Sequence, residues 1–235
     1  SLTNDQTILV VAGPKARTVM QAVSRENWSA AAFPWLSVRE CFVGIAPATV
    51  MAVSFSGELA YEIHIPNASL YSAYLSLRDA GKAHEMKLFG ALAVDSMRME
   101  KGYLHWKADI LTEFDPFETG LDRFVDMNKP TFIGKDALQK QQALGAGKKF
   151  VTLTLNYDQA AAHGGSSVMI GEDVVGTVTS GDWGHRTGLN IAYAFVAPEF
   201  ANAGTECKID VLGTMVSAIV IEAGPYDPTL ARVRT

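Results

Sequence analysis

Between Phe150 and Ile221 the chain falls into six short apolar stretches: Phe150–Leu155, Ser167–Ile170, Val174–Thr179, Leu189–Val196, Glu206–Leu212 and Met215–Ile221. Glycines at 164, 165, 171, 181, 204 and 213 stand between them as turn positions. No part of this region carries a helical period of any length. Short β-branched and aromatic runs punctuated by glycine bury their apolar sides most simply in an antiparallel sheet, closed into a barrel or folded as a sandwich. A small antiparallel β-barrel over residues 149–235 is the expectation.

The first half alternates differently. Thr7–Ala12 reads as a strand, Gly13-Pro14 breaks it, and Ala16, Val19, Met20 and Val23 follow at helical spacing. Residues 27–47 show no clear period and are read as an irregular connection with a short helical turn. Thr49–Phe55 and Tyr61–Ile65 pair as a hairpin. Asn67 is placed to cap a helix whose Leu70, Ala73, Tyr74 and Leu77 share one face. Lys87–Phe89 reads as a further strand and Ala91–Lys101 as a helix. Strand-helix-strand twice over is the split pattern of a ferredoxin-like α/β sandwich, so the fold class is α+β. Beyond it come a turn at Pro116–Leu121, an edge at Phe132-Ile133 and a short helix after Gly134. Gly145-Ala146-Gly147-Lys148-Lys149 is the expected linker, which gives domains 1–145 and 149–235.

Composition narrows the function. Apolar residues make up 48% and charged residues 19%, the balance of a globular chain able to build a core. A formal net charge of −5 and the lack of any basic run beyond two residues argue against nucleic acid as a partner. No apolar run approaches the roughly 18 to 20 residues that span a bilayer. Cys41 and Cys207 make no metal-ligand spacing and no disulfide framework, which fits a reducing compartment. The chain opens at Ser1 and runs at once into a strand, as a piece of a longer polypeptide would.

Ser54–Pro66, SFSGELAYEIHIP, carries the chemistry. Strand side chains alternate, so Tyr61, Ile63 and Ile65 point one way and Glu62 and His64 the other. Glu62 is then a mid-strand carboxylate on the face opposite the core. It is either a solvated hairpin residue or an acceptor-only fork for an N–H and an amino group side by side.

Ser54-Phe55-Ser56-Gly57-Glu58-Leu59-Ala60-Tyr61-Glu62, then Arg98-Met99-Glu100, then Pro116-Phe117-Glu118-Thr119-Gly120-Leu121 together resemble the glycine-cleavage T-protein (aminomethyltransferase) family. Glu100-Lys101-Gly102-Tyr103 with Trp106 and Asp109, then Thr179-Ser180-Gly181 and Tyr226-Asp227-Pro228, look most like the C-terminal folate domains of dimethylglycine and sarcosine dehydrogenases and oxidases. The resemblance runs from about Ile8 to Arg234 and implies a tetrahydrofolate site. Within it Glu62 falls on the glutamate that clasps the pterin and Arg98 on the arginine of the Arg-Leu-Glu motif. Phe55 stands where the family has Tyr, keeping the ring and losing the hydroxyl. Tyr61 adjoins Glu62, and its alternation favours the core. Trp183 is either a packing residue or a neighbour of the folate entrance. His185 and Arg186 are read as solvated, and His105 as a helix-end residue.

The resemblance further implies one-carbon transfer, with 5,10-methylenetetrahydrofolate formed from a unit released by a methylated amine. No Gly-x-Gly-x-x-Gly fingerprint is present, so FAD would belong to a separate domain or subunit. The family's catalytic aspartate lies in a preceding stretch with no counterpart here, so no catalytic residue and no metal site is assigned, and the chain alone is expected to be inactive. The compartment implied is the cytoplasm, or the mitochondrial matrix in a eukaryote. Two alternatives stay open: a stand-alone folate-dependent methyl- or aminomethyltransferase of T-protein or sulfonium-demethylase type, and a non-catalytic folate-binding module.

Overall fold

The computed structural model describes residues 1–235. The chain forms two compact units, Ser1–Val94 with Asp227–Thr235, and Asp95–Tyr226. The division falls inside one helix, Ala91–Lys101, and residues 95–145 belong to the same unit as the barrel strands.

In the first unit, β1 (Gln6–Ala12), α1 (Ala16–Val23), β2 (Val38–Val43), β3 (Ala46–Met51), β4 (Ala60–Pro66) and α2 (Leu70–Gly81) follow one another. The strands make one antiparallel sheet in the order β1-β4-β3-β2. The segment 27–47, expected to be irregular, contains β2 and the start of β3. Its Val38-Arg39-Glu40-Cys41-Phe42-Val43 does alternate, but Cys41 and Val43 face the core while Val38 and Phe42 stand exposed, so apolar residues occupy both faces and mask the period. The element order is therefore strand-helix-strand-strand-strand-helix, not strand-helix-strand twice. Helices α1 and α2 cover one face of the sheet, where Val19, Met20, Ala73 and Leu77 meet Val43, Val50, Ile63 and Ile65. Fully burying each such side chain contributes about 1.5–3 kcal/mol.

Two local readings are corrected. Asn67 does not cap α2 with its side chain; a 3-10 turn, Asn67–Ser69, precedes the helix. The amide instead accepts from Thr7 Oγ1 at 2.6 Å and donates to the Asn4 carbonyl at 2.8 Å, which ties β1 to the end of β4. Lys87–Phe89 forms no strand.

The second unit begins with the C-terminal half of α3 (Ala91–Lys101), followed by α4 (Pro116–Thr119) and α5 (Lys135–Leu144). Asp115 caps α4 with a full capping box to Glu118. Phe132-Ile133 forms no strand, and Ile133 is fully exposed. Strands β5 (Lys149–Leu155), β6 (Ser167–Ile170), β7 (Asp173–Gly184), β8 (Leu189–Val196), β9 (Glu206–Val211) and β10 (Thr214–Ile221) close an antiparallel barrel in the order β10-β5-β8-β7-β6-β9. Leu153, Val168, Ala192, Ala194, Ile209 and Val220 fill its interior. From Ile191 onward β8 carries no charged side chain because it is buried on both sides: Ala192 and Ala194 face the barrel, while Ile191 and Tyr193 pack outward on Met99 of α3.

β7 is longer than its sequence pattern implied. Gly181, expected to be a turn, lies inside it, because a Cβ there would come within 2.1 Å of the Ala162 carbonyl oxygen. The glycine permits close approach of two backbones, and the strand runs on to Gly184.

Candidate functional site

In the first unit, β4 carries its side chains as alternation requires. Tyr61, Ile63 and Ile65 are wholly buried, and Glu62 and His64 emerge on the opposite face. Register places Glu62 between Val10 of β1 and Met51 of β3, and His64 between Ile8 and Thr49. Ile8 and Val10 are 49% and 44% exposed, so the carboxylate rises from a partly solvent-exposed apolar platform. The Glu62 side chain is one-third exposed, and the imidazole of His64 stands beside it with Nε2 3.8 Å from Oε2. A carboxylate so placed retains lone pairs for an N–H and an amino group presented together.

The residues around Glu62 behave differently from it. Tyr61 is in the core as its alternation predicted, edge-on to Trp28 at 5.2 Å and stacked with Phe33 at 5.8 Å. Burial pushes its phenol pKa up, with Arg17 opposing, and its hydroxyl has no hydrogen-bond partner. Phe55 lies half-buried in the connection between β3 and β4. That connection turns at Gly57, whose φ of +81° suits glycine, and the Ser54 hydroxyl accepts from the Gly57 amide at 3.0 Å. Glu58 faces Arg232 at 3.5 Å.

In the second unit, the end of α3 is buried on every side, with Ser96, Arg98, Met99, Glu100 and Lys101 all inside. Arg98 is 3% exposed. Its Nη1 donates to Asp109 Oδ2 at 2.6 Å and to the Tyr103 carbonyl at 3.3 Å, its Nη2 to Ser180 Oγ at 3.0 Å, and its Nε to Asp95 at 3.3 Å. Asp109, wholly buried, also accepts from the hydroxyls of Thr179 and Ser180, both at 2.6 Å, and from the His105 amide at 2.8 Å. The guanidinium lies 5.4 Å from the Tyr193 ring centre. Burial drives the Tyr193 phenol pKa upward, with Arg98 opposing, and its hydroxyl donates to the Met99 carbonyl at 2.8 Å.

A second buried carboxylate, Glu100, stands beside this network. It accepts from the amides of Arg186 and Thr187 at 2.7 and 2.8 Å and pairs with the Arg186 side chain. Arg186, read from sequence as solvated, also stacks its guanidinium 3.8 Å from the Tyr226 ring centre. Trp183 lies at the end of β7 and pairs with Asn190 of β8; its carbonyl accepts from Ser96 Oγ at 2.6 Å. His185 is exposed, and His105 lies exposed in the loop after α3. The sequence placed Glu100 and Asp109 in the motifs without giving them a site role, and Arg186 was read as solvated. The available signal was chemical: ionic residues interleaved with Met97, Met99 and Tyr103 need fixed partners.

The chain matches the profile of the GCVT N-terminal domain over residues 1–129 and that of the glycine cleavage T-protein C-terminal barrel domain over residues 148–227. It belongs to the glycine-cleavage T-protein family. It is 31% identical over 223 residues to human mitochondrial dimethylglycine dehydrogenase, covering 94% of this chain and 26% of that protein. It is 32% identical over 241 residues to mouse mitochondrial sarcosine dehydrogenase, covering 98% and 26%. The aminomethyltransferase of Caldanaerobacter subterraneus is 28% identical over 218 residues, covering 93% of this chain and 58% of that protein. The crystal structure of the glycine cleavage system aminomethyltransferase T from Bartonella henselae superposes with a TM-score of 0.84 at 21% identity, covering 95% of this chain and 60% of that one. That likeness confirms the fold. The chain spans about a quarter of the length of the dehydrogenases it matches. No helix is long and apolar enough to cross a membrane.

Proposed function

We propose that this chain is the tetrahydrofolate-binding segment of a one-carbon-transfer enzyme of the aminomethyltransferase or dimethylglycine/sarcosine-demethylating type. The observation that carries the proposal is Glu62: a mid-strand carboxylate on the face away from the core, one-third exposed, with only an imidazole at 3.8 Å beside it. The pterin ring of tetrahydrofolate offers an N–H and an amino group as adjacent donors, which that fork accepts with both oxygens. When bound, tetrahydrofolate supplies the nucleophilic nitrogens that take up the one-carbon unit, giving 5,10-methylenetetrahydrofolate. The protein contributes position and polarity.

Each residue then has a task of its own. Glu62 orients the pterin. Phe55 offers a ring face without a hydroxyl. Tyr61 acts from beneath, holding β4 rigid through its aromatic neighbours. Arg98, with four of its donors engaged inside the second unit, acts chiefly by fixing the Thr179-Ser180 strand and the Asp109 loop. Oxidation of a methylated amine is assigned to a separate flavin-bearing domain or subunit, consistent with the dehydrogenases among the relatives.

Calorimetric titration with tetrahydrofolate, comparing wild type with Glu62→Gln, tests the reading. The amide has one acceptor where two are wanted, so affinity should fall about tenfold or more, the equivalent of one charge-assisted hydrogen bond. Equal affinities, or no binding to wild type at millimolar ligand, would return Glu62 to the role of a solvated sheet residue.

A further inference from the structure

His64 Nε2 is a buried nitrogen without a hydrogen-bond partner. Its side chain is only 25% exposed, and it occupies the same face of β4 as Glu62, one side-chain repeat further on. Buried polar atoms are ordinarily satisfied, and one left without a partner costs stability, so each needs an explanation. The residues on either side do not supply one: register sets Ile8 and Thr49 beside His64, and no hydrogen bond joins either of them to the ring. The group within reach is the Glu62 carboxylate, 3.8 Å away at Oε2. That gap exceeds a charge-assisted hydrogen bond by about 1 Å.

The carboxylate has a matching need. A bidentate acceptor works only when its plane is fixed relative to both donors, and supporting hydrogen bonds supply that fixing at precise sites. Glu62 rises between Val10 and Met51, neither of which has a polar side-chain hydrogen to offer. Of the residues on its own strand, His64 alone presents a side-chain donor to that face.

We infer that His64 is a positioning residue for Glu62: with its proton on Nε2 it donates to Glu62 Oε2 and holds the carboxylate plane so that both oxygens face a ligand with two adjacent donors. The inference rests on the folate reading of Glu62 and adds the source of its specificity. His64 need not touch the cofactor. It sets which ligands the fork prefers: a ring N–H beside an amino group gains from a fixed plane, and a ring N–H alone gains little.

The test uses two ligands and four proteins. Wild type, His64→Leu, His64→Gln and Glu62→Gln are titrated by NMR with tetrahydrofolate and with an analogue bearing hydrogen in place of the 2-amino group. Thermal melting first confirms that each variant is folded. Wild type should prefer tetrahydrofolate by about tenfold, the worth of one hydrogen bond to a charged acceptor. His64→Leu should reduce that preference to about twofold, chiefly by weakening tetrahydrofolate, and His64→Gln, which restores an N–H donor, should recover most of it. Perturbation of the His64 Nε2 resonance on addition of tetrahydrofolate should accompany binding. A packing role would weaken both ligands alike and leave their ratio at the wild-type value; that result in His64→Leu would overturn the inference while the folate reading stands. If Glu62→Gln binds both ligands as wild type does, the folate reading itself fails, and this inference with it.

Discussion

Asp109 Oδ2 lies 2.6 Å from Arg98 Nη1 with the carboxylate wholly buried, and the same carboxylate gathers the Thr179 and Ser180 hydroxyls and the His105 amide. One buried charge thus ties the end of α3, the loop after it and the middle of β7 together within the second unit. Removing one partner of a buried pair leaves the other charge without compensation, typically at about 3–5 kcal/mol. Asp109→Ala should lower the unfolding free energy by that order in urea denaturation. A loss within the ordinary surface range of about 0.5 kcal/mol would mean that Arg98 finds water when its partner is gone.

Arg98→Lys asks a different question of the same network. Lysine keeps the charge near Asp109 but loses the planar fork that reaches Asp109, Ser180 and Asp95 at once. The melting temperature should fall. Tetrahydrofolate affinity should fall only as far as the network shapes the cofactor's surroundings. Equal affinity with lowered melting would assign Arg98 to the scaffold alone. Asp95→Asn should do little to either, because Asp95 is 42% exposed and stands at the longer, 3.3 Å contact.

Gly181→Ala tests the backbone contact that replaced an expected turn. The added Cβ would meet the Ala162 carbonyl oxygen at 2.1 Å and its carbon at 2.8 Å, both main-chain atoms that a side-chain rotation cannot move. Overpacking of this kind costs about 1–3 kcal/mol. Differential scanning calorimetry should show a clear fall in melting temperature, and an unchanged transition would place Ala162 farther away than the geometry has it.

Tyr61→Phe should go the other way. The hydroxyl is buried with no partner, so its removal relieves a desolvation cost and leaves the ring contacts with Trp28 and Phe33 in place. Stability should hold or rise by up to about 1 kcal/mol. Tetrahydrofolate affinity should stay within twofold, by the order of error expected for a residue outside the contact surface. A marked loss of affinity would put the Tyr61 hydroxyl at the ligand.

The sequence carried its clearest information where one period governed one face. Glycine punctuation located all six barrel strands, and alternation sent Tyr61 to the core and Glu62 away from it, because a sheet with one covered face imposes a period of two. It was least legible where burial was not one-sided. Arg98 and Glu100 lie on different sides of α3 and are both buried, so no amphipathic stripe marks that helix. Arg186 looked solvated because its partner, Glu100, is 86 residues away in sequence. Gly181 looked like a turn because composition does not separate a glycine needed for positive φ from one needed for close approach. The 27–47 region hid a strand for a related reason: Val38 and Phe42 are apolar yet exposed.

The last expectation concerns pH. Burial pushes the Cys207 thiol from 9.0 up to about 11, so the folded state favours the neutral thiol over a range in which the unfolded chain already ionises. A group whose pKa is raised on folding contributes its stability in full below the unfolded value and loses it as pH climbs through the folded one. The contribution of Cys207 is therefore present at pH 8 and is lost between 9.0 and about 11. Burial shifts Cys41, Tyr61 and Tyr193 in the same direction, so wild type alone cannot isolate the thiol. Cys207→Ala does, because it keeps the other three groups and removes this one. Urea midpoints measured at pH 8 and pH 11 should fall less in Cys207→Ala than in wild type. Parallel declines would show that the Cys207 thiol reaches solvent in the folded barrel and titrates as it does in the unfolded chain.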